Sequence, residues 1–393
     1  MTNEQEIIIE AEKILNNHSY DVELQLTERI EGNYFILRCR SDGFKENSVI
    51  IKKYITEKKD EDLDNDANTR FLCELLGLIY LNEISKTQFY PRMFAYDQNS
   101  RIIILEDFGN LETIMDELFK PNLLHLKEDL IAYAKCLGNL HGSARGHIAE
   151  FQDLQTKFEV TSPMSDSNMS HLPYWEVYED LLKNGMGLMD ISSHKNSIEL
   201  MEKYFQDNQT IIHCDTGFQN FLYILDESKA ILLDYEYIAI GNPLLDFIGI
   251  YLGSPQSYKG LPIPQEFLKL MELEYFDVLQ SYGWDFSQSE REYAMIAALN
   301  HWVRGRIFFF WRRFLKDYMQ FKDSEEFEMP ENIDHMVMKM KTLCNEFLKF
   351  PYTNSHYELQ KEVVIWLKVW LEQIPVEKKL EEIYFPCFNG TQF

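Results

Sequence analysis

Four polar side chains between positions 211 and 236 have the types and spacing that phosphoryl transfer requires. His213, Asp215 and Asn220 follow a short apolar segment as H-x-D-x-x-x-x-N, and Asp234 ends the apolar run AILLD. This chemistry needs a carboxylate that orients and deprotonates an attacking hydroxyl, and oxygen ligands for the Mg²⁺ ions that bridge nucleotide phosphates. We predict Asp215 as the catalytic base, Asn220 and Asp234 as magnesium ligands, and His213 as a support of the catalytic loop.

A strand and a hairpin must bring these side chains together. The segment before His213 reads as a strand, and FLYIL and AILLDYE read as two arms joined by a turn near 226–228. The motif alone does not decide the matter, because Asp215 and Asn220 would also serve as turn or helix-cap residues. The hairpin, which returns Asp234 to the same end, favours the catalytic interpretation.

A lysine near the N-terminus is the expected phosphate ligand. In S-V-I-I-K-K, strand alternation places Ile50 and Lys52 on one face, and Val49, Ile51 and Lys53 on the other. We predict that Lys52 binds the nucleotide phosphates, with Lys53 as the alternative.

A helix is predicted over 69–84, and Glu74 is the one charged residue within its apolar run 71–81. A buried carboxylate requires a cation, so we predict that Glu74 pairs with Lys52. In the alternative, Glu74 lies on a narrow polar edge of the helix.

Two further segments are candidates for nucleotide binding. The turn within 29–37, which contains Gly32 and Asn33, is predicted to cover the phosphates, and an ordinary hairpin turn is the alternative. After the strand RIII, backbone groups of Glu106 and Phe108 are predicted to bind the adenine edge, although a strand ending in a glycine turn fits the same residues. Neither a dinucleotide-binding G-x-G-x-x-G nor a G-x-x-x-x-G-K-[ST] motif is present.

The order of apolar patterns predicts an α+β, two-lobed fold. An amphipathic helix is expected over 3–16, and a five-stranded antiparallel sheet plus the helix over 69–84 completes a nucleotide-binding lobe at 1–108. A larger lobe at 109–393, which carries the catalytic and substrate-binding residues, is predicted to be mainly helical, with the β-rich segment 211–235 at its middle. Ligands are expected in the cleft between the lobes.

Composition excludes several other classes of protein. The chain has 393 residues, a net charge of -26 and six scattered cysteines. Such a charge argues against nucleic-acid binding, and the cysteines suit reduced thiols rather than zinc. We expect a cytoplasmic protein, since no secretory signal and no apolar run of about 20 residues is visible. The acidic excess indicates either solubility or a pocket for a cationic substrate.

Residues 25–253 resemble the aminoglycoside phosphotransferase and choline kinase superfamily. Asp234-Tyr235-Glu236 stands where that family usually has Asp-Trp-Glu, and GNPLLDFIGIYL at 241–252 is similar to its Gly-Asn-Pro and Asp-Leu-Ala segment. The resemblance implies that Asp246 braces the catalytic loop. LGNLHG at 137–142 resembles the family's leucine-rich helix, and we interpret His141 there as a core residue.

The sequence departs from the family pattern at three positions. Cys214 stands where glycine is common, Gln219 where glycine often precedes the asparagine, and Tyr235 where tryptophan is usual. These changes affect packing and leave the charged residues in place.

The resemblance implies a protein-kinase-like fold and an ATP- or GTP-dependent, Mg²⁺-dependent kinase. Between Asp234 and Asp246 there is no room for the long activation segment of protein kinases, which favours a small-molecule hydroxyl acceptor. An aminoglycoside-like antibiotic, choline or ethanolamine, homoserine, and a sugar all remain open, as does a nucleotide-binding pseudokinase without activity. Oligomeric state is also open.

The acceptor is expected to meet the long helical region after residue 170. Carboxylates or aromatic rings there would hold an aminated or hydroxylated substrate, and core packing is the alternative. The candidate substrate residues are Glu176, Glu179, His301 and Trp302.

Overall fold

Five short strands near the N-terminus pair into one antiparallel sheet, as predicted. In the computed structural model, which describes residues 3–30, 34–44, 47–55, 61–118, 125–162, 175–252, 263, 265–322, 324 and 333–375, the strand order is β1-β2-β3-β5-β4. The strands are β1 (Gln25–Ile30), β2 (Phe35–Arg40), β3 (Ser48–Lys53), β4 (Met93–Asp97) and β5 (Ile102–Glu106).

Helices cover both faces of this sheet. Leu37, Ile51 and Ile104 are paired across neighbouring strands and therefore share one face, where helix α1 (Asn3–Asn17) packs against them. Helix α2 (Glu61–Ile84) lies between β3 and β4 in the chain and packs with Ile103 from the opposite face. The alternation predicted for residues 49–53 is confirmed, because Val49 and Ile51 are fully buried in the cluster with α1.

The remainder is mostly helical, with two small pairs of strands. Strand β6 (Thr210–Ile212) pairs with β9 (Ala239–Gly241), and β7 (Phe221–Ile224) pairs with β8 (Lys229–Leu232) to form the predicted hairpin. The helices are α3 (Ile114–Leu118), α4 (Leu126–Ser143), α5 (Ile148–Lys157), α6 (Trp175–Asp180), α7 (Ser192–Asp207), α8 (Leu244–Ile248), α9 (Gln265–Ser281), α10 (Gln288–Phe310), α11 (Lys316–Phe321), α12 (Ile333–Phe347) and α13 (Ser355–Gln373). The α+β class is thus confirmed, whereas the lobe boundary at residue 108 stays a prediction.

The boundaries of several elements predicted from the apolar patterns, among them strands over 20–28, 89–97 and 101–109, differ from the observed ones. The helix expected over 69–84 begins at Glu61, so part of the charged stretch before it is helical. The strand expected over 20–28 begins at Gln25. The strand expected over 101–109 ends at Glu106, because Asp107 accepts a hydrogen bond from the Gly109 amide and starts a turn.

In the described ranges, every helix is too short or too polar to cross a bilayer.

Candidate active site

His213 links the two ends of the catalytic loop. Its side chain is fully buried, Nε2 donates to the Leu233 carbonyl at 2.8 Å, and Nδ1 accepts from the Asp215 amide at 3.2 Å. This pairing requires the ring proton on Nε2. Since both ring nitrogens are engaged with backbone, His213 positions Asp215 and the residue before Asp234 and does not itself face a ligand.

Asp246 anchors the start of the same loop. One carboxylate oxygen accepts from the His213 amide at 2.5 Å and from His141 Nε2 at 3.1 Å, and the other accepts from the Cys214 amide at 2.9 Å. The bracing contact implied by the family resemblance is therefore present. His141 also contacts the Tyr275 hydroxyl at 2.8 Å and is fully buried, which confirms the core interpretation.

Cys214 adopts a left-handed backbone conformation, with φ of 68°. This conformation favours glycine, which accounts for the glycine common at this position in the family pattern. The turn allows two successive amides, those of His213 and Cys214, to donate to the single carboxylate of Asp246.

Asp215 and Asn220 are in direct contact. The Asn220 side-chain nitrogen donates to the Asp215 carbonyl at 2.9 Å and to its carboxylate at 3.0 Å. Burial raises the pKa of Asp215; His213 opposes this shift, and the nearby Asp234 carboxylate adds to it. A raised pKa brings a carboxylate closer to the range in which a general base works well.

Lys52 joins the sheet to the helix α2 and to the hairpin. Its Nζ lies 2.6 Å from Glu74 Oε2 and also contacts the Asp234 carboxylate. The predicted pairing of Lys52 with Glu74 is confirmed. Lys53 lies on the opposite face, where its Nζ is 2.6 Å from Glu10 Oε2 on α1. Of the two lysines, Lys52 is the one beside Asp234.

Burial and charge act in opposite directions on this group. Burial raises the pKa of Glu74 to about 7 even though Lys52 lowers it. For Asp234, burial alone would raise the pKa, but the Lys52 ammonium, together with smaller contributions of His213 and Arg70, holds the pKa below its usual value. For Lys52, burial lowers the pKa, while the Asp234 and Glu74 carboxylates together raise it above its ordinary range.

Arg70 forms a second link between α2 and the segment after Asp234. Its Nη1 donates to Glu236 Oε1 at 2.8 Å, and its Nε donates to Asp66 Oδ2 at 2.7 Å. Burial, followed by the Asp234 charge, raises the pKa of Glu236 to about 7. Arg70 was not among the residues predicted for the site. Its position one helical turn before Glu74 was the available signal.

Residues 106–110 form the connector after β5. It is held by side chains that were not predicted for the site either. Asp107 is 2% exposed, its carboxylate accepts from Ser48 Oγ at 2.7 Å, and Arg38 Nε lies 3.0 Å from it. The Glu106 amide donates to the Arg92 carbonyl at 2.8 Å, so Glu106 would have to bind a base through its carbonyl oxygen. The base-binding roles of Glu106 and Phe108 stay predictions.

The four candidate substrate residues have different neighbours. Glu176 is exposed, and Glu179 pairs with Lys183 at 2.5 Å on the same helical stretch. The His301 ring is buried and lies 5.0 Å from the Phe205 ring on α7. The structure does not gather these side chains into one described pocket, and their substrate roles stay predictions.

Trp302 faces a different neighbour from His301. Its indole Nε1 donates to the Leu245 carbonyl on α8 at 3.3 Å. The Arg306 guanidinium lies 4.3 Å from the centre of the Trp302 ring. The cation–π partner of this ring in the structure is therefore Arg306 and not a substrate cation.

Gly32 and Asn33 lie outside the described residues.

The predicted metal ligands are compatible with magnesium. Among the described residues, no group of three or more His, Cys, Asp and Glu side chains has a metal-binding arrangement. Asn220 and Asp234 supply one amide and one carboxylate, and Mg²⁺ in nucleotide sites takes few protein ligands and completes its shell with phosphate and water oxygens. Because the Asn220 nitrogen is held by Asp215, its Oδ1 is the atom that it can offer to a cation.

No family model and no curated protein sequence matches the chain. Among solved structures, the chain is similar to an ethanolamine kinase of Plasmodium vivax, with 14% sequence identity, a TM-score of 0.46, and coverage of 85% of this chain and 86% of that one.

Proposed function

We propose that this protein is a Mg²⁺-dependent, bilobal kinase that transfers the γ-phosphoryl group of ATP or GTP to a hydroxyl of a small molecule. The observation that carries the proposal is a pair of side-chain groups, Asp215 with Asn220 and Lys52 with Glu74 and Asp234. The His213 ring links their backbones through the Asp215 amide and the Leu233 carbonyl. Lys52 comes from β3 and Glu74 from α2, whereas Asp215, Asn220 and Asp234 come from the segment between β6 and β9. An aminoglycoside-like antibiotic or an amino alcohol is the proposed acceptor class, following the family resemblance, with a sugar or homoserine as alternatives.

Each residue has a defined task in this proposal. Asp215 orients the acceptor hydroxyl and takes its proton, aided by a pKa that burial raises. Lys52, oriented by Glu74, binds phosphate oxygens, and Asn220 and Asp234 hold magnesium. When bound, magnesium neutralises charge that develops on the transferred phosphoryl group. His213 and Asp246 hold the loop geometry through backbone amides.

The buried contact between Lys52 and Asp234 supports the assignment of both residues. A phosphate-binding cation and a metal-binding carboxylate must lie close together to act on the same phosphate chain. The two side chains come from positions 182 apart in the sequence and meet directly.

Replacement of the proposed base tests the activity. Asp215→Asn is expected to reduce turnover by about 100-fold or more, because the amide cannot accept the acceptor's proton. Mg-nucleotide binding should change by no more than about threefold, since Asp215 is not assigned to the nucleotide. Asp226→Asn, in the exposed hairpin turn, is the matched control and should leave both quantities unchanged.

The acceptor is identified in the same assay. Wild-type protein is incubated with MgATP or MgGTP and with aminoglycosides, choline, ethanolamine, homoserine or sugars, and the phosphorylated product is detected by mass spectrometry. Undiminished turnover by Asp215→Asn would contradict the assignment of the base. Nucleotide binding without transfer to any acceptor would favour a pseudokinase.

A further inference from the structure

Arg38 lies on the same face of the sheet as the proposed phosphate lysine. In the pairing of β2 with β3, Ile36 is opposite Lys52 and Arg38 is opposite Ile50, and directly paired residues point to the same side. Arg38 is therefore displaced by two residues, about 7 Å along the strand, from the level of Lys52. Since Ile50 pairs in turn with Leu105, this displacement leads towards the end of β5.

The Arg38 guanidinium contacts the connector that follows β5. Its Nη2 donates to the Gly109 carbonyl at 2.8 Å, and its Nη1 donates to Asn110 Oδ1 at 3.1 Å and to Glu28 Oε2 at 2.7 Å. Its Nε lies 3.0 Å from Asp107 Oδ2. Nη1 and Nη2 thus donate hydrogen bonds, whereas Nε has only the ion-pair contact with Asp107 and no hydrogen-bond partner among the described residues. Three of the four partners belong to residues 107–110. A planar guanidinium fixes such partners in a defined relative geometry.

Asp107 completes this connection. Its buried carboxylate accepts from Ser48 Oγ at 2.7 Å and from the Gly109 amide at 3.0 Å, in addition to the contact with Arg38. Gly109 has a φ of 69°, a conformation that glycine adopts readily and other residues rarely do. The segment 107–110 is therefore held to one face of the sheet by two neighbouring strands, through Ser48 on β3 and Arg38 on β2.

We propose that Arg38 is a positioning residue that holds the connector 106–110 in the conformation that receives the nucleotide base. The inference rests on the proposed function, because Lys52 defines the phosphate end of the nucleotide. Consider a nucleotide whose phosphates lie at Lys52. If it extends along the face of the sheet that carries Lys52, Ile50 and Arg38, its base reaches the connector. Arg38 acts through the connector backbone and makes no contribution at the phosphate end.

Ligands with and without a base separate this role from a general structural one. Arg38→Met keeps an unbranched apolar stem, although a shorter one, and removes every donor. We expect its dissociation constant for MgATP, measured by calorimetry, to rise about tenfold or more, whereas that for magnesium tripolyphosphate should stay within about twofold. Arg40→Met, on the same strand and the same face but exposed, is the matched control and should bind both ligands as the wild type does.

The possible outcomes are distinct. Failure of the wild-type protein to bind MgATP or MgGTP would contradict the proposed function itself. Wild-type affinity of Arg38→Met for MgATP would overturn the role of Arg38 while leaving the proposed function in place.

If Arg38→Met binds neither MgATP nor magnesium tripolyphosphate, the variant has lost its structure in general. Arg38→Lys then tests the role of Arg38. The lysine retains the charge and most of the packing but lacks the planar fork, so it should weaken MgATP binding selectively. Equal losses for MgATP and magnesium tripolyphosphate in Arg38→Lys would overturn the inference.

Discussion

The network around Asp246 and the polar cluster around Arg304 both bury charge, but they differ in hydrogen bonding. Both carboxylate oxygens of Asp246 accept hydrogen bonds, and two of the donors are successive backbone amides. Arg304 is 3% exposed, yet its Nε and Nη2 have no hydrogen-bond partner within the described part of the chain. The same holds there for single side-chain atoms of three other buried residues of the helical region, His194, Asn300 and Gln360.

This difference in hydrogen bonding indicates in which region a buried charge fixes the backbone. A carboxylate that accepts from several buried amides fixes the backbone that carries them, whereas a buried charge without hydrogen bonds mainly costs stability. Burial lowers the pKa of Arg304, and the nearby Tyr178 and Glu202 offset this only in part. We therefore expect removal of charge to destabilise the catalytic loop strongly and the helical cluster little.

The largest effect is expected at the loop anchor. Asp246→Asn places an amide group where two backbone donors now meet a carboxylate, so at least one buried N–H loses its acceptor. We expect the free energy of unfolding to fall by about 3–5 kcal/mol, measured by urea denaturation followed by circular dichroism.

Asp153→Asn, at an exposed position on α5, is the control for this change and should leave stability unaltered. A loss below about 1 kcal/mol for Asp246→Asn would mean that the anchor is replaceable and that the comparison is wrong for this region.

A smaller, pH-dependent effect is expected at Glu74. Its pKa is raised to about 7, mainly by burial, so the folded protein binds a proton there at pH values where the unfolded chain has lost it. Stability from this group is full below its ordinary pKa and is lost as pH rises through about 7. Between pH 5 and 8, the free energy of unfolding of the wild type should fall by about 2 kcal/mol relative to that of Glu74→Gln.

Denaturation curves of both proteins across this range provide the measurement. Glu83→Gln, on an exposed part of the same helix, should follow the wild type at every pH. If the difference between wild type and Glu74→Gln is constant from pH 5 to 8, Glu74 does not take up a proton on folding.

Local patterns predicted the parts of the site that lie within one element. Alternation in S-V-I-I-K-K placed Lys52 and Lys53 on opposite faces, and the structure has this arrangement because Val49 and Ile51 pack into the apolar cluster with α1. Glu74 was identifiable because a lone charge in an apolar helix requires a partner, and Lys52 was the nearest candidate in the fold.

Contacts between distant segments were not predictable in the same way. Arg38 and Gly109 are 71 positions apart, and Arg70 and Glu236 are 166 apart. The local sequence of Arg38 does not distinguish it from a solvent-exposed residue, and the spacing of Arg70 before Glu74 places it on the same side of the helix without identifying Glu236 as its partner. Both partners are fixed only by sheet register or helix packing. The contact of the Trp302 ring with Arg306 was not predictable either. The two residues are four apart on one helix, a spacing that permits the contact but does not require it.

The smallest effect is expected in the helical cluster, with the opposite sign. Arg304 and Glu202 are both buried and interact electrostatically. Replacing both by methionine, which has a similar length, removes two desolvated charges together. Exchanges of this kind are often neutral or stabilising. We expect the double variant Arg304→Met with Glu202→Met to be as stable as the wild type or more stable. Its free energy of unfolding should exceed that of the wild type by no more than about 1 kcal/mol.

Single replacements sharpen this expectation. Arg304→Met alone removes a cation that interacts with buried Glu202, so the single variant should be less stable than the double variant. Adding Glu202→Met alone completes a double-mutant cycle, which measures the coupling of the two charges by urea denaturation. If the double variant loses as much stability as Asp246→Asn, the Arg304 cluster is as tightly specified as the catalytic loop. The contrast in hydrogen bonding would then not predict the energetics of the two regions.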